Sequence, residues 1–304
     1  MFCSEFTICH PVANLHLDRP MKTCLPAPAP SLSRFIPALL ASLCLVASVQ
    51  AAPSLQQDLE PILVGSHRSD ANKARDQYRH PVQTLDFFGV KPDQTVIEVT
   101  PGGGWYTEVL GPLLQAKGQY IAVVGSSAGM PEKVAEGVNK RIAGFKDKLK
   151  ADQAHYGKAK VVEFVGKSPN FGPDGSADVV LTFRNVHNWV PETHAAMFKA
   201  MFAVLKPGGT LGVVDHRAAK GQDFKKALES GYLPEDFVIA EIEKAGFKLD
   251  AKSDVNNNPK DSKDHAEGVW TLPPVLALKD KDKAKYLAIG ESDRFTLRFV
   301  KPKN

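Results

Sequence analysis

Beyond Cys44 the chain contains no cysteine: all four (Cys3, Cys9, Cys24 and Cys44) lie near its start. The remainder can therefore form no disulfide, no thiolate nucleophile and no cysteine-ligated metal centre. Charge of one sign is also lacking, with 38 Lys and Arg against 34 Asp and Glu. No basic block with interleaved aromatics is present, so nucleic acid is excluded as an expected partner. The run Lys279-Asp-Lys-Asp-Lys-Ala-Lys285 alternates in sign and reads as a solvated helix start. Long apolar runs are missing too. Phe35–Val49 is apolar over about fifteen residues, short of the roughly 20 that span a bilayer. No metal-ligand spacing and no internal repeat occur.

That apolar stretch follows Lys22 and Arg34 and ends in Val49-Gln50-Ala51, with small residues where a signal peptidase cuts. Residues 1–51 are expected to be a signal peptide cleaved after Ala51, with Met21-Lys22 as an alternative start that would make residues 1–20 an over-called beginning. Leu43 before Cys44 argues against a lipid anchor. A cysteine-free exported chain suits an oxidising compartment. The expected location is the periplasm, with no stable membrane anchor after cleavage.

From Ala52 onward strand and helix patterns alternate. Leu55–Asp76 has a helical pattern and leads into Val82–Phe88. Strands are expected at Thr95–Val99, Tyr120–Val124, Lys160–Val165, Ala177–Thr182 and Thr210–Val214, with two more at Phe247–Val255 and Arg294–Lys301. Helices are expected at Tyr106–Leu114, Pro131–Leu149, Pro191–Leu205 and Pro234–Ala245. The β-branched, nearly continuous apolar strands suit a sheet covered on both faces. This alternation implies one doubly wound α/β domain over 52–304, with an N-terminal helical cover (52–90) and an insert (256–292). Ligands in such folds bind at the carboxyl ends of the strands.

The stretch Glu98-Val-Thr-Pro-Gly-Gly-Gly-Trp-Tyr106 carries the most information. It reads as a strand end, a glycine turn and the first turn of a helix, so backbone N–H groups face whatever sits above. Glu98 is a carboxylate at the strand end. A second cluster, Phe183-Arg-Asn-Val-His-Asn-Trp189, follows the fourth strand. Asp215-His-Arg217 ends the fifth at the same sheet edge. Arg79 and His80 precede the first strand, where an N-terminal segment would fold over the cleft.

Together with Leu205-Lys-Pro-Gly-Gly-Thr-Leu-Gly-Val-Val-Asp215, these motifs resemble class I S-adenosylmethionine-dependent methyltransferases. More closely, Tyr78-Arg-His-Pro81 and the three clusters above are similar to a bacterial group of exported methyltransferases. The resemblance covers roughly residues 85–300. It implies a Rossmann-like, doubly wound seven-stranded sheet whose last strand is antiparallel. It also implies S-adenosylmethionine as cofactor and a small-molecule or envelope substrate. Cofactor contacts are then expected from Glu98, Thr100, Gly102, Gly103, Gly104, Trp105, Tyr106, Arg184 and Asn185. His187, Asn188 and His216 are the expected catalytic residues. A histidine, which ordinarily titrates near pH 6.5 (~), can deprotonate or orient an acceptor. The chain departs from the family pattern twice. Thr100 replaces the first glycine of the turn, and Val124 and Gly125 stand where a ribose-binding acid is usual.

Other readings remain open at this point. Gly125-Ser126-Ser127-Ala128-Gly129 matches the G-x-S-x-G elbow of a serine hydrolase, with Ser127 as nucleophile and His265 as partner. That reading leaves the fifth-strand motif unexplained. A nicotinamide dehydrogenase is disfavoured because the G-x-G-x-x-G register from Gly102 meets Thr107. A non-catalytic or repurposed binding protein on the same fold is the other alternative, because S-adenosylmethionine is made in the cytoplasm. The insert residues Asn256–Pro259 and His265 are further acceptor-site positions.

Overall fold

The seven expected runs become seven strands of one sheet, six of them largely apolar and the edge run Lys248–Ser253 polar. The computed structural model describes residues 54–189 and 193–303. The expected signal peptide, its cleavage point and all four cysteines lie outside them. The strands are β1 (Thr95–Val99), β2 (Gln119–Gly125), β3 (Lys160–Phe164), β4 (Ala177–Phe183), β5 (Leu205–His216), β6 (Lys248–Ser253) and β7 (Arg294–Val300). Their order is β3-β2-β1-β4-β5-β7-β6. β1 to β5 pair in parallel, while β7 runs antiparallel to both β5 and β6. This is the doubly wound sheet with an antiparallel last strand that the resemblance implied. No helix among the described residues is long and apolar enough to cross a membrane.

Strand alternation sends side chains to two separate cores. Ile97 and Val99 of β1 join Val180, Leu211, Phe295 and the helices His194–Val204 and Glu235–Lys244. Val96 faces the opposite layer with Tyr120, Leu181 and the helices Thr107–Leu114 and Glu132–Ala151. Each fully buried Leu, Val or Phe contributes roughly 1.5–3 kcal/mol, which is why the central strands carry so little polar alternation.

The N-terminal cover differs from the single helix expected over Leu55–Asp76. It breaks into Leu55–Val64, Asp70–Lys73 and Asp76–Arg79, followed by Pro81–Phe87. Local chemistry sets the breaks. Ser54 and Gln57 form a capping box on the first helix, and Gly65 ends it. Ser69 then caps the second through the Asn72 N–H. His80 takes a left-handed conformation (φ +42°) and lets Pro81 open the next helix. β5 starts earlier than expected, at Leu205, because the Leu205–Gly209 turn pairs with Ala177 across a register shift. Gly208 supplies the left-handed residue in that turn, at φ +81°.

The sheet has its switch point between β1 and β4. From β1 the chain proceeds to β2 on one side, and from β4 to β5 on the other. The crevice between these strand ends is where a doubly wound sheet takes its ligands.

Candidate functional site at the switch point

The chain leaves β1 at Thr100 and β4 at Arg184, and both residues have left-handed backbones (φ +57° and +61°). That conformation is unfavourable for any L-residue and most so for a β-branched one. Each is held by a hydrogen bond to the outer neighbour. The Thr100 N–H donates to the Val123 carbonyl at 2.8 Å and the Arg184 N–H to the Val214 carbonyl at 2.7 Å. Asn185 ties the two exits together. Its buried amide donates to the carbonyls of Val99 (3.0 Å) and Thr100 (3.2 Å) and to Thr182 Oγ1 (3.0 Å).

Two cavities open around this junction. The larger, about 760 Å³, is walled by Val124, Ile142, Phe145 and Phe164 and is mainly apolar. The smaller, about 360 Å³, is walled by Arg75, Arg79, Arg184, His187, His216 and Glu291. Thr100–Gly103 and Asn188 line both. A Cβ built on Gly102 or Gly103 would meet nothing within 4 Å. The main chain there faces open space, and a ligand can approach it without a side chain in the way.

The expected cofactor positions divide. Thr100, Gly102 and Gly103 line both cavities, and Trp105, Arg184 and Asn185 line the smaller one. Glu98, Gly104 and Tyr106 line neither. Glu98 is two residues from Val96 and so faces the same helical layer. There Tyr120 Oη (2.5 Å) and Thr107 Oγ1 (3.1 Å) donate to its Oε2. Burial pushes its pKa up to about 7, although both hydroxyl donors oppose the rise. Gly104 packs against Phe145 and Thr107. Tyr106 stacks on Phe183 with ring centroids 3.5 Å apart and donates to the Arg79 carbonyl at 3.3 Å. Trp105 donates to the Asn72 carbonyl at 2.9 Å, with the Arg68 and Arg79 guanidiniums 5.2 and 4.7 Å from its ring.

The three expected catalytic residues all reach the smaller cavity. Asp215 at the end of β5 organises two of them. Its Oδ2 accepts the Val186 and His187 N–H groups, at 2.7 and 3.3 Å. Its Oδ1 bonds His187 Nδ1 and accepts the His216 N–H, each at 2.8 Å. Burial opposes the charge on Asp215, but His187 and His216 outweigh it and hold the carboxyl below its usual pKa. An ionised Asp215 can only accept, so His187 Nδ1 carries the proton and a neutral His187 presents Nε2 as an acceptor. His216 bonds Ser292 through Nδ1, and burial first of all drives its pKa well below the usual value. The rings of His187 and His216 lie 5.0 Å apart. Ligating atoms of His187, Asp215 and His216 fall within 4.8 Å of one another. A cation there would have to displace N–H donors from both Asp215 oxygens, so the cluster is better suited to proton handling.

The smaller cavity also contains groups outside the expected set. Glu291 accepts from Arg79 Nε (2.9 Å), Arg75 Nε (2.8 Å) and Arg294 NH1 (2.9 Å). Burial would raise its pKa, yet the charges of Arg79, Arg294, Arg184 and Arg75 hold it far below normal. Trp270 and Ser292 complete the wall from the insert. The i, i+4 spacing of Arg75 and Arg79, and Glu291 three residues before Arg294, were the available signals. Arg79, expected on a segment that folds over the cleft, lies here. His80 and His265 do not line either cavity. His265 bonds Asp261 at 2.8 Å. Asn256 is buried against Thr84 and Thr296, and Asn258 holds the carbonyls of Ile289 and Glu291. The hydrolase reading fails on geometry: Ser127 donates to Asn139 Oδ1 at 2.8 Å, is only partly buried, and has no histidine partner among the described residues.

The larger cavity fits the adenosine of S-adenosylmethionine in size, within the roughly 300–1,000 Å³ of small-ligand sites. It has apolar walls for a purine and an open glycine turn. Among the described residues its charged lining is Arg141 and Lys148, and none of its lining residues is a carboxylate that could meet a ribose diol.

No protein-family model matches the sequence, and no curated protein matches it. Solved structures do resemble the fold. The [4+2]-cyclase SpnF is 16% identical, with a TM-score of 0.53 over 83% of this chain and 98% of its own. The putative sarcosine dimethylglycine methyltransferase of Galdieria sulphuraria is 14% identical, with a TM-score of 0.51 over 76% of this chain and 86% of its own. A SAM-dependent methyltransferase from Aquifex aeolicus is 16% identical, with a TM-score of 0.46 over 75% and 93%. At these identities the likeness concerns architecture, and the architecture is the class I S-adenosylmethionine-dependent methyltransferase fold.

Proposed function

We propose that this chain is an S-adenosylmethionine-dependent methyltransferase of the bacterial cell envelope, exported by a signal peptide over residues 1–51 and acting on a small molecule or envelope component. The observation that carries this reading is the pair of cavities meeting at Thr100–Gly103 and Asn188. The apolar cavity suits the adenosine, and the polar cavity suits the acceptor, so the two ligands would meet over the glycine turn. When bound, the cofactor supplies an activated methyl group, and the protein contributes mostly positioning. Asn185 fixes the turn, and Asn188 faces both ligands. His187, with Nδ1 committed to Asp215, takes the acceptor proton on Nε2. Buried His216 stays neutral beside it and orients the acceptor. Loss of a positioned base typically costs 10²–10⁴-fold (~), which is the expected effect of His187→Ala on a protonated acceptor.

Calorimetric titration of the purified protein with S-adenosylmethionine and S-adenosylhomocysteine tests the reading. Binding of both supports it; no heat and no thermal shift at millimolar ligand refutes it. A non-methylating binding or catalytic role on the same fold is the second reading. Two observations favour it: the larger cavity has no ribose-binding carboxylate among the described residues, and the similar structure of SpnF is that of a cyclase.

A further inference from the structure

The smaller cavity holds more positive charge than its own acids balance. Arg75, Arg79 and Arg184 line it, Arg294 lies directly behind, and Glu291 is the carboxylate that pairs with three of the four. Arg294 is fully engaged, by Glu291, the Ser292 carbonyl and the Tyr78 carbonyl. Arg79 is not. Its side chain is 1% exposed, Nε bonds Glu291, and both terminal nitrogens are buried with no hydrogen-bond partner among the described residues. The face of Trp105 supports that guanidinium but accepts no conventional hydrogen bond. Arg184, projected into the same cavity by its left-handed backbone, makes no side-chain hydrogen bond or ion pair among the described residues. Burying a guanidinium whose terminal nitrogens have no partner, as at Arg79, is strongly unfavourable, and an arginine does not escape by losing its proton.

We propose that this cavity binds an oxyanion, a carboxylate or phosphate group carried by the second ligand, through Arg184 and Arg75 with Arg79 behind them. Charge decides between the two ligands. S-adenosylmethionine carries a sulfonium, an ammonium and one carboxylate, so it adds positive charge to a region that already has an excess. An anionic second ligand neutralises both. Position agrees, because the cavity is closed by elements outside the sheet: the N-terminal cover through Arg75 and Arg79, and the insert through Trp270 and Glu291. Arg184 and the His187–His216 pair line the same 360 Å³ space, so an anion on the arginines would leave the rest of a small molecule facing Nε2 of His187. This assignment deepens the methyltransferase reading by naming the substrate class, yet its test does not need methyl transfer.

Inorganic phosphate and succinate serve as probes, titrated calorimetrically into the purified protein at constant ionic strength, with and without saturating S-adenosylhomocysteine. Arg184→Asn removes the charge and keeps a residue that tolerates the left-handed backbone. The expected result is binding of at least one anion, weakened roughly tenfold or more by Arg184→Asn, as loss of a charged hydrogen bond requires. Prior saturation with S-adenosylhomocysteine should leave that affinity unchanged. If the variant does not fold, Arg75→Gln, at a more exposed position, is expected to weaken the anion in the same direction. Three results would overturn the proposal: neither anion binds, binding survives loss of the arginine charge, or S-adenosylhomocysteine displaces the anion while 5′-methylthioadenosine does not. The last would assign the arginines to the cofactor's own carboxylate. Anion binding without S-adenosylhomocysteine binding would keep this site and remove the methyltransferase reading.

Discussion

Glu98 allows a sharp test of the packing beneath the turn. Its carboxyl is sealed between Tyr120 and Thr107, and burial raises its pKa from 4.5 to about 7. The folded state therefore binds this proton more tightly than the unfolded chain does. Between pH 4.5 and about 7 the folded protein holds more protons, so stability must fall as pH rises. The interval is about 2.5 pH units, and at about 1.4 kcal/mol per unit the largest effect is roughly 3 kcal/mol. Glu98→Gln keeps an oxygen to accept from Tyr120 and removes the ionisation. The variant should match the wild type near pH 4.5 and exceed it by about 1–3 kcal/mol at pH 8. Urea unfolding of both proteins across that range measures the difference directly, and other titrating groups cancel in the comparison. A variant less stable than wild type at pH 8, or a difference independent of pH, would show that Glu98 is ionised at neutral pH and compensated.

Three further outcomes follow from the same geometry. Thr100→Gly relieves a left-handed threonine at roughly 1–2 kcal/mol and loses roughly 0.5–1 kcal/mol to chain entropy, so thermal unfolding should show a small net gain. S-adenosylhomocysteine should also bind the variant more tightly by calorimetry. Asn185→Ala leaves the Val99 and Thr100 carbonyls without their buried donor and should cost about 1–3 kcal/mol in urea unfolding, with weaker ligand binding. Asp215→Asn presents an NH₂ group to one pair of the four donors now meeting the carboxylate, and should destabilise by about 3 kcal/mol at pH 7. Because the folded pKa of Asp215 is depressed below 3.8, its contribution is complete above that value and is lost as pH falls further. Wild type and variant should therefore converge at strongly acid pH.

The sheet was legible because its signals are local. β1 spans the expected Thr95–Val99, and the other strands differ from expectation mainly at their ends. The antiparallel last strand came from the family resemblance. Glu98 shows where local reading stops. Alternation predicts that Glu98 and Val96 share a face, but which layer covers that face depends on the whole chain. The smaller cavity was partly legible: the loop after β4 and the end of β5 named His187, Asn188 and His216. Its charge was not. Arg79 and Glu291 are 212 residues apart and meet only because the N-terminal cover and the insert close over the same strand ends. A pairing at that separation leaves no periodicity in either segment. The breaks in the N-terminal cover had visible causes, Gly65 and Ser69, that helical periodicity alone overrode.

The two strained residues at the strand exits carry a common implication. Glycine would satisfy both left-handed backbones at lower conformational cost, since an L-residue there is disfavoured by roughly 1–2 kcal/mol. Strain of this kind persists where the surroundings over-determine it. Here the inter-strand bonds from the N–H groups of Thr100 and Arg184 and the Asn185 clasp do so. Backbone geometry explains the conformation but does not explain the side chains. At Arg184 the side chain has an evident use, because it adds a cation to a cavity in which the terminal nitrogens of Arg79 already lack partners among the described residues. Glycine there would retain the turn and remove the charge. Thr100 lines both cavities, so its branched side chain adds bulk at the residues they share. On the proposed reading, specificity is therefore expected to reside on the arginine side of the turn, with Thr100 limiting how closely the two proposed ligands approach.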